Sequence, residues 1–240
     1  MAISPSSIIH FTNKKESLIG ILTNNFKLSY CKEKIILKDK KFNFGIPMVS
    51  FCDIPLSQIK EHISKYGSYG IGLKKEWAIE KNLNPVLYVD SNSNLSESYI
   101  ELFTKYLFEP EINSKSATSS EKAIIDIFRY TKNYQANLER NNKIYENYRF
   151  SDEREWRYVL ELAESEKYIC THDECNKIDL SEHLLTFEPE DIQYIIIKDE
   201  EEISDFLQVL RTAKGKNYSL HDVERLMTRI ITAQQIFNDF

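Results

Sequence analysis

Two glutamates set two positions apart offer the clearest chemistry in this sequence. In Phe150-Ser151-Asp152-Glu153-Arg154-Glu155-Trp156-Arg157-Tyr158-Val159-Leu160 a charged lead-in passes into alternating apolar and charged residues. Strand side chains repeat every two residues, so the pattern predicts that Glu153, Glu155 and Arg157 share one face. Trp156, Tyr158 and Leu160 share the other, the expected core face. Two carboxylates about 7 Å apart can divide roles, one orienting a substrate and the other stabilising positive charge or taking a proton. The same groups could instead pair with Arg157 or Arg154 as surface ion pairs of little energetic consequence.

Near the N-terminus, Ile8-Ile9-His10-Phe11-Thr12 reads as a short strand ending in a polar pair. His10 and Thr12 could donate hydrogen bonds to a sugar hydroxyl or an amide; His10 could equally be a buried histidine satisfied by a backbone carbonyl. Tyr30, Tyr66 and Tyr69 could stack on an aromatic ring, although each is also ordinary packing material. Cys170-x-His172-x-x-Cys175, with His183 beyond, gathers soft ligands in a polar loop. That spacing matches no common zinc module, and no metal is expected. There is no G-x-S-x-G turn for a nucleophilic serine and no G-x-x-x-x-G-K-[ST] phosphate loop.

The elements that must position these groups centre on residues 46–89. Four of the six glycines and three of the six prolines lie between Gly45 and Pro85, so the chain path is most tightly specified there. An apolar run from Met48 to Cys52 meets Asp53-Ile54-Pro55. Leu56, Ile59 and Ile63 then recur at helical spacing, predicting one amphipathic helix over 56–66 with Ser57 as its cap. The glycines of Tyr66-Gly67-Ser68-Tyr69-Gly70-Ile71-Gly72-Leu73 predict a turn into a strand closely approached by another backbone or a ligand. Further on, 137–147 reads as a polar, exposed flap, 192–197 as a strand, and 219–240 as one amphipathic helix capped by Ser219.

A formal charge of −6 argues against bulk nucleic-acid binding. The lysines of 32–41 still make a local basic patch, either a solvated hairpin or a contact surface. Four cysteines do not make a disulfide framework, and no apolar run is long enough to span a bilayer. A cytoplasmic protein with reduced thiols is expected. The pattern predicts an α+β fold with a central, mainly antiparallel sheet flanked by helices. A single domain over 1–200 would carry a helical appendage over 201–240.

The phrases IIHFT, MVSFCDIPLSQIKEHISKYGSYGIGLKKEWA, LNPVLYV and FSDEREWRYV resemble the AbiGi family of bacterial abortive-infection proteins, across about 8–197. Members of that family are labelled antitoxins of a two-gene phage-resistance system. A deeper resemblance connects the same residues to the ADP-ribosyltransferase fold and its split sheet. It implies that His10 and Thr12 hold the ribose and amide side of NAD, that Tyr69 or Tyr66 stacks on nicotinamide, and that Glu155 is catalytic with Glu153 assisting.

Two functions follow from these resemblances. The first is a phage-defence enzyme using NAD, with a protein or nucleic acid as its modification target. The second is a non-enzymatic antitoxin or sensor that binds a toxin or a phage component.

Overall fold

The computed structural model describes residues 5–106, 117–140, 142–162, 169–171, 173 and 178–239. The first half of the chain forms β1 (Ser7–Thr12), α1 (Lys15–Asn24), β2 (Phe26–Lys27), β3 (Ser29–Leu37), β4 (Lys40–Cys52), α2 (Lys60–Tyr66), β5 (Tyr69–Lys74), α3 (Lys75–Glu80), β6 (Asn84–Pro85), β7 (Leu87–Val89) and α4 (Asn94–Tyr106). The second half forms α5 (Ser119–Arg129), β8 (Thr131–Asn133), β9 (Gln135–Arg140), β10 (Lys143–Arg149), β11 (Glu155–Val159), β12 (Leu184–Leu185), β13 (Ile192–Ile197), α6 (Ile203–Lys214), α7 (Leu220–Met227), β14 (Ile230–Thr232) and α8 (Ala233–Asp239). This is the expected α+β class, a mainly antiparallel sheet with helices. Two compact units divide the chain. One comprises Met1–Lys27, Phe51–Asn82 and Leu184–Phe240, and the other Leu28–Ser50 and Leu83–His183.

In the first unit the strands run β14-β13-β5-β1, with Cys52 at the end of β4 opposite Ile9. Among the described residues of this unit only β13 and β14 pair in parallel. Ile9 and Phe11 point to one face, where they join Ile59, Ile63, Ile196, Ala233 and Ile236 in an apolar cluster. Alternation therefore turns Ile8, His10 and Thr12 to the opposite face.

The glycines of β5 now have a reason. Gly70 pairs with Phe11 and Gly72 with Tyr194, and these rings lie across the strand where side chains would otherwise stand. A Cβ on Gly72 would sit 2.8 Å from the Tyr194 ring. The expected close approach is thus by neighbouring aromatics at Gly70 and Gly72, and by backbone at Gly67. Gly67 ends α2 with a φ of +118°, and a Cβ there would lie 2.4 Å from both Thr12 O and Asn13 Cα.

Three sequence expectations give way in this unit. A 3-10 turn over Leu56–Gln58 precedes α2, and Ser57 does not cap a continuous helix. The segment 219–240 is α7, then β14, then α8, because Ile230, Ile231 and Thr232 add a strand beside Ile195, Ile196 and Ile197. β-branched residues favour that pleated setting over a helix. Ser219 does cap α7, accepting the Asp222 N–H. Residues 201–239 thus contribute α6, α7, β14 and α8 to the first unit.

In the second unit β3 and β4 form a long hairpin, β4 is followed laterally by β11, and β11 by β6. Ile35, Leu37, Phe42, Phe44, Ile46 and Met48 face α4 and α5 across an aromatic core, with Phe103 stacked on Phe128 at 4.0 Å. A reciprocal capping box of Thr118 and Glu121 starts α5. β3 runs unbroken through the lysine-rich segment, since Lys32 and Lys34 occupy its outward positions. The polar flap is the β9–β10 hairpin.

Gly67→Ala combines a disfavoured backbone with a clash, and strain of this kind costs on the order of 1–3 kcal/mol. Urea denaturation should show a loss of that size, whereas Gly20→Ala, inside α1 with nothing within 4 Å, should lose nothing and gain up to about 1 kcal/mol.

Candidate functional site

The buried face of β11 is the charged one, which reverses the sequence expectation. Glu155, Arg157 and Val159 point inward, whereas Trp156 and Tyr158 are half-buried. Arg157 has no exposed surface, and Glu153 and Glu155 are 4% and 5% exposed. Alternation was legible; the inward face was misassigned because a buried charge requires partners distant in sequence.

Those partners come from four other segments of the second unit. Arg157 Nε donates to Glu155 Oε1 at 2.6 Å, and its Nη2 lies 3.2 Å from Glu33 Oε2. Its Nη1 donates to the Arg129 carbonyl at 2.8 Å. Lys132 Nζ donates to Glu155 Oε2 at 2.5 Å and lies 3.6 Å from Glu153 Oε2 and 5.0 Å from the centre of the Phe150 ring. Tyr148 donates its hydroxyl to Glu153, and the Tyr88 oxygen accepts the Glu155 N–H. Glu33 sits on the core face of β3 because it is in phase with Ile35 and Leu37. Arg154, in the left-handed conformation with φ of +45°, makes the bend that brings Glu153 and Glu155 onto one lysine.

Burial alone would favour the neutral form of Glu155. The Arg157 and Lys132 charges and their hydrogen bonds outweigh it and hold the carboxyl down at about 2. Lys132 is likewise pulled by burial toward neutrality, yet Glu155, Glu33 and Glu153 hold it above its ordinary value. Tyr88 is pushed up to about 12, chiefly by burial. The neighbouring charges thus favour ionised Glu155 and protonated Lys132.

Sequence reading missed Glu33, Lys132, Tyr88 and Tyr148. Glu33 was hidden in a lysine-rich run, although its phase with Ile35 and Leu37 marks an inward position. Asn133 was missed too: its buried side chain accepts the Ile36 N–H and donates to the Ile36 carbonyl, at 2.8 and 2.7 Å, in place of a strand neighbour.

Of the other predicted residues, His10, Thr12, Tyr66 and Tyr69 lie in the first unit, and Tyr30 is a buried residue of β3 in the second. Thr12 is opposite Tyr69 and His10 opposite Ile71 in the β1–β5 ladder, so His10, Thr12 and Tyr69 share a face. The His10 ring meets Phe26 and Phe51 edge-on, at 5.3 and 5.8 Å between centres. Thr12 Oγ1 accepts the Lys14 N–H ahead of α1. Tyr69 donates its hydroxyl to Glu202 at 2.9 Å, and burial with this carboxylate pushes it up to about 12. Tyr66 belongs to α2, where its ring stacks on His62 at 4.2 Å. Asp53 grips Lys75 through both oxygens, at 2.9 and 2.8 Å, and fixes the Asp-Ile-Pro turn to α3.

Among the described residues no disulfide joins Cys31, Cys52 or Cys170; His172 and Cys175 of the candidate ligand motif lie outside the described residues. Among the described residues no group of three His, Cys, Asp or Glu could hold a metal, and no helix is long and apolar enough to cross a membrane.

Removing one member of a buried ion pair costs about 3–5 kcal/mol, so Glu155→Gln should lose stability on that scale. The Glu155 value is depressed from 4.5 to about 2. Its contribution is therefore complete above about 4.5 and lost as pH falls through 2. Denaturation curves should show the gap between wild type and Glu155→Gln closing over that window. A constant gap would show that ionisation of Glu155 contributes nothing.

Residues 24–198 match the family described as "Putative abortive phage resistance protein AbiGi, antitoxin". The chain is 27% identical over 241 residues to the abortive phage resistance protein AbiGi of Lactococcus lactis subsp. cremoris, covering 89% of this chain and 94% of the relative. No solved structure matches at a significant level. With the matched segment taking in the whole Asp-Ile-Pro to Gly-spaced stretch and the charged β11 strand, the chain belongs to the AbiGi family.

Proposed function

We propose that this protein serves phage defence as an antitoxin that acts by binding a protein partner, and that its conspicuous glutamates hold the fold rather than perform a reaction. The observation that carries this reading is the engagement of both Glu155 oxygens, one by Arg157 and one by Lys132, inside a shell that leaves the carboxylate 5% exposed. The family description supplies the word antitoxin, and an antitoxin implies a toxin. The contact surface we favour is the outer side of the β3–β4 hairpin. Lys32 and Lys41 are exposed there, with Lys40 exposed beside them at the turn end of the hairpin, on a chain whose formal charge is −6. A local basic surface of this kind steers an acidic partner and fixes its register.

NAD use of the ADP-ribosyltransferase kind is the second reading. Two observations favour it: Glu155 is held ionised, as a group facing an oxocarbenium-like cation must be, and His10, Thr12 and Tyr69 share a strand face. As arranged, however, these groups fit NAD poorly. The Tyr69 hydroxyl is taken by Glu202, the Tyr66 ring is stacked on His62, and Glu155 is enclosed.

Co-expression with the product of the neighbouring gene, followed by affinity capture, should recover a complex. Lys32→Glu, Lys40→Glu and Lys41→Glu together should weaken capture at least tenfold at physiological salt without moving the melting temperature. Recovery of no partner, or of a complex indifferent to the three reversals, would remove this surface from the account. Incubation of pure protein with NAD should release no nicotinamide; release abolished by Glu155→Gln at a temperature where that variant is folded would establish the second reading.

A further inference from the structure

A cavity of about 230 Å³ lies in the first unit, away from the groups discussed above, lined by Glu188, Pro189, Glu190, Tyr218, Asp222, Arg225, Leu226 and Arg229. Its charges are unevenly satisfied. Glu188 accepts the Tyr218 hydroxyl and also feels Lys214, whose ammonium sits 5.1 Å from the Phe187 ring centre. Asp222 accepts the Ser219 hydroxyl at 2.6 Å at the start of α7. Arg225 and Arg229 are different. They stand one helical turn apart in sequence, and neither forms an ion pair with a carboxylate among the described residues. Among the described residues the Arg229 side chain donates only to the Glu190 carbonyl, at 3.5 Å.

We infer that this cavity binds a small organic oxyanion, a phosphate or a carboxylate, through the guanidinium groups of Arg225 and Arg229. Guanidinium groups form short, charge-assisted and often forked hydrogen bonds with such anions. Pro189, Leu226 and the Tyr218 ring offer apolar surface to the body of the ligand. The volume is below the roughly 300–1,000 Å³ of pockets for drug-sized ligands, which selects a compact molecule. Half-burial of Arg229 and the neighbouring Arg225 charge both act against its protonated form and hold it below its ordinary value. An anion between them would relieve that repulsion. The inference is independent of the antitoxin reading, since the cavity shares no residue with the β3–β4 hairpin or the Glu155 cluster.

The test is NMR titration of the arginine Nε–H signals of the full chain with inorganic phosphate, phenyl phosphate and acetate. Saturable shifts at Arg225 and Arg229 are expected, and the stronger response between the phosphates and acetate identifies the ligand class. Arg225→Gln, which alters an exposed side chain, should weaken binding at least tenfold while circular dichroism stays unchanged. Arg229→Gln should act in the same direction. Absence of saturable shifts with all three probes, or binding unaffected by Arg225→Gln, would overturn the proposal.

Discussion

A positive pair, Arg157 and Lys132, encloses the Glu155 carboxylate in the interior of the second unit, and the surrounding strands depend on that contact. Arg157 reaches Glu33 on β3 and the Arg129 carbonyl at the end of α5, while Lys132 belongs to β8 and Tyr88 to β7. One ionic cluster therefore ties five segments of different sequence position. Burying charges is expensive, and the cost is met only when geometry is close and remaining donors are occupied. Here Arg157 Nε and Nη1 donate hydrogen bonds, Nη2 is held only by the Glu33 charge at 3.2 Å, and both Glu155 oxygens have a cation. Such a cluster gives register and specificity more readily than net stability, and it penalises any arrangement that separates its members.

The first unit uses a different device. Its β5 strand gives up side chains at Gly70 and Gly72 so that Phe11 and Tyr194 can lie across it. The backbone of Thr12 and Asn13 comes against Gly67. A glycine-spaced strand invites a ligand-binding interpretation; in this protein the space is filled by the protein itself. Asp53 and Lys75, joined through both carboxylate oxygens, hold the adjoining turn. The most conspicuous stretch of the chain thus shapes the fold.

Local patterns were readable where local forces decide. Period-two alternation located β11, the Ser219 cap located the start of α7, and apolar spacing located α2. Long-range pairing was not readable. Ile230, Ile231 and Thr232 sit within a helix-like pattern and become a strand only because β13 offers a parallel partner. Which face of β11 is buried depends on Lys132 and Glu33, roughly 20 and 120 positions away, and alternation cannot choose between faces. At the candidate site, the residues with chemistry were visible, but the groups that occupy them were not. The family was legible because its signature coincides with the segments whose backbone path is most constrained.

We propose that Glu155 serves structure rather than reaction. The most direct test is phage protection by Glu155→Gln, assayed in cells that also express the neighbouring gene product. The temperature should be one at which circular dichroism shows the variant folded. Protection at the wild-type level is predicted under those conditions, with loss appearing only as the temperature approaches the variant's lowered melting point. A folded Glu155→Gln protein that gives no protection at any temperature would contradict the claim and return the carboxylate to chemistry.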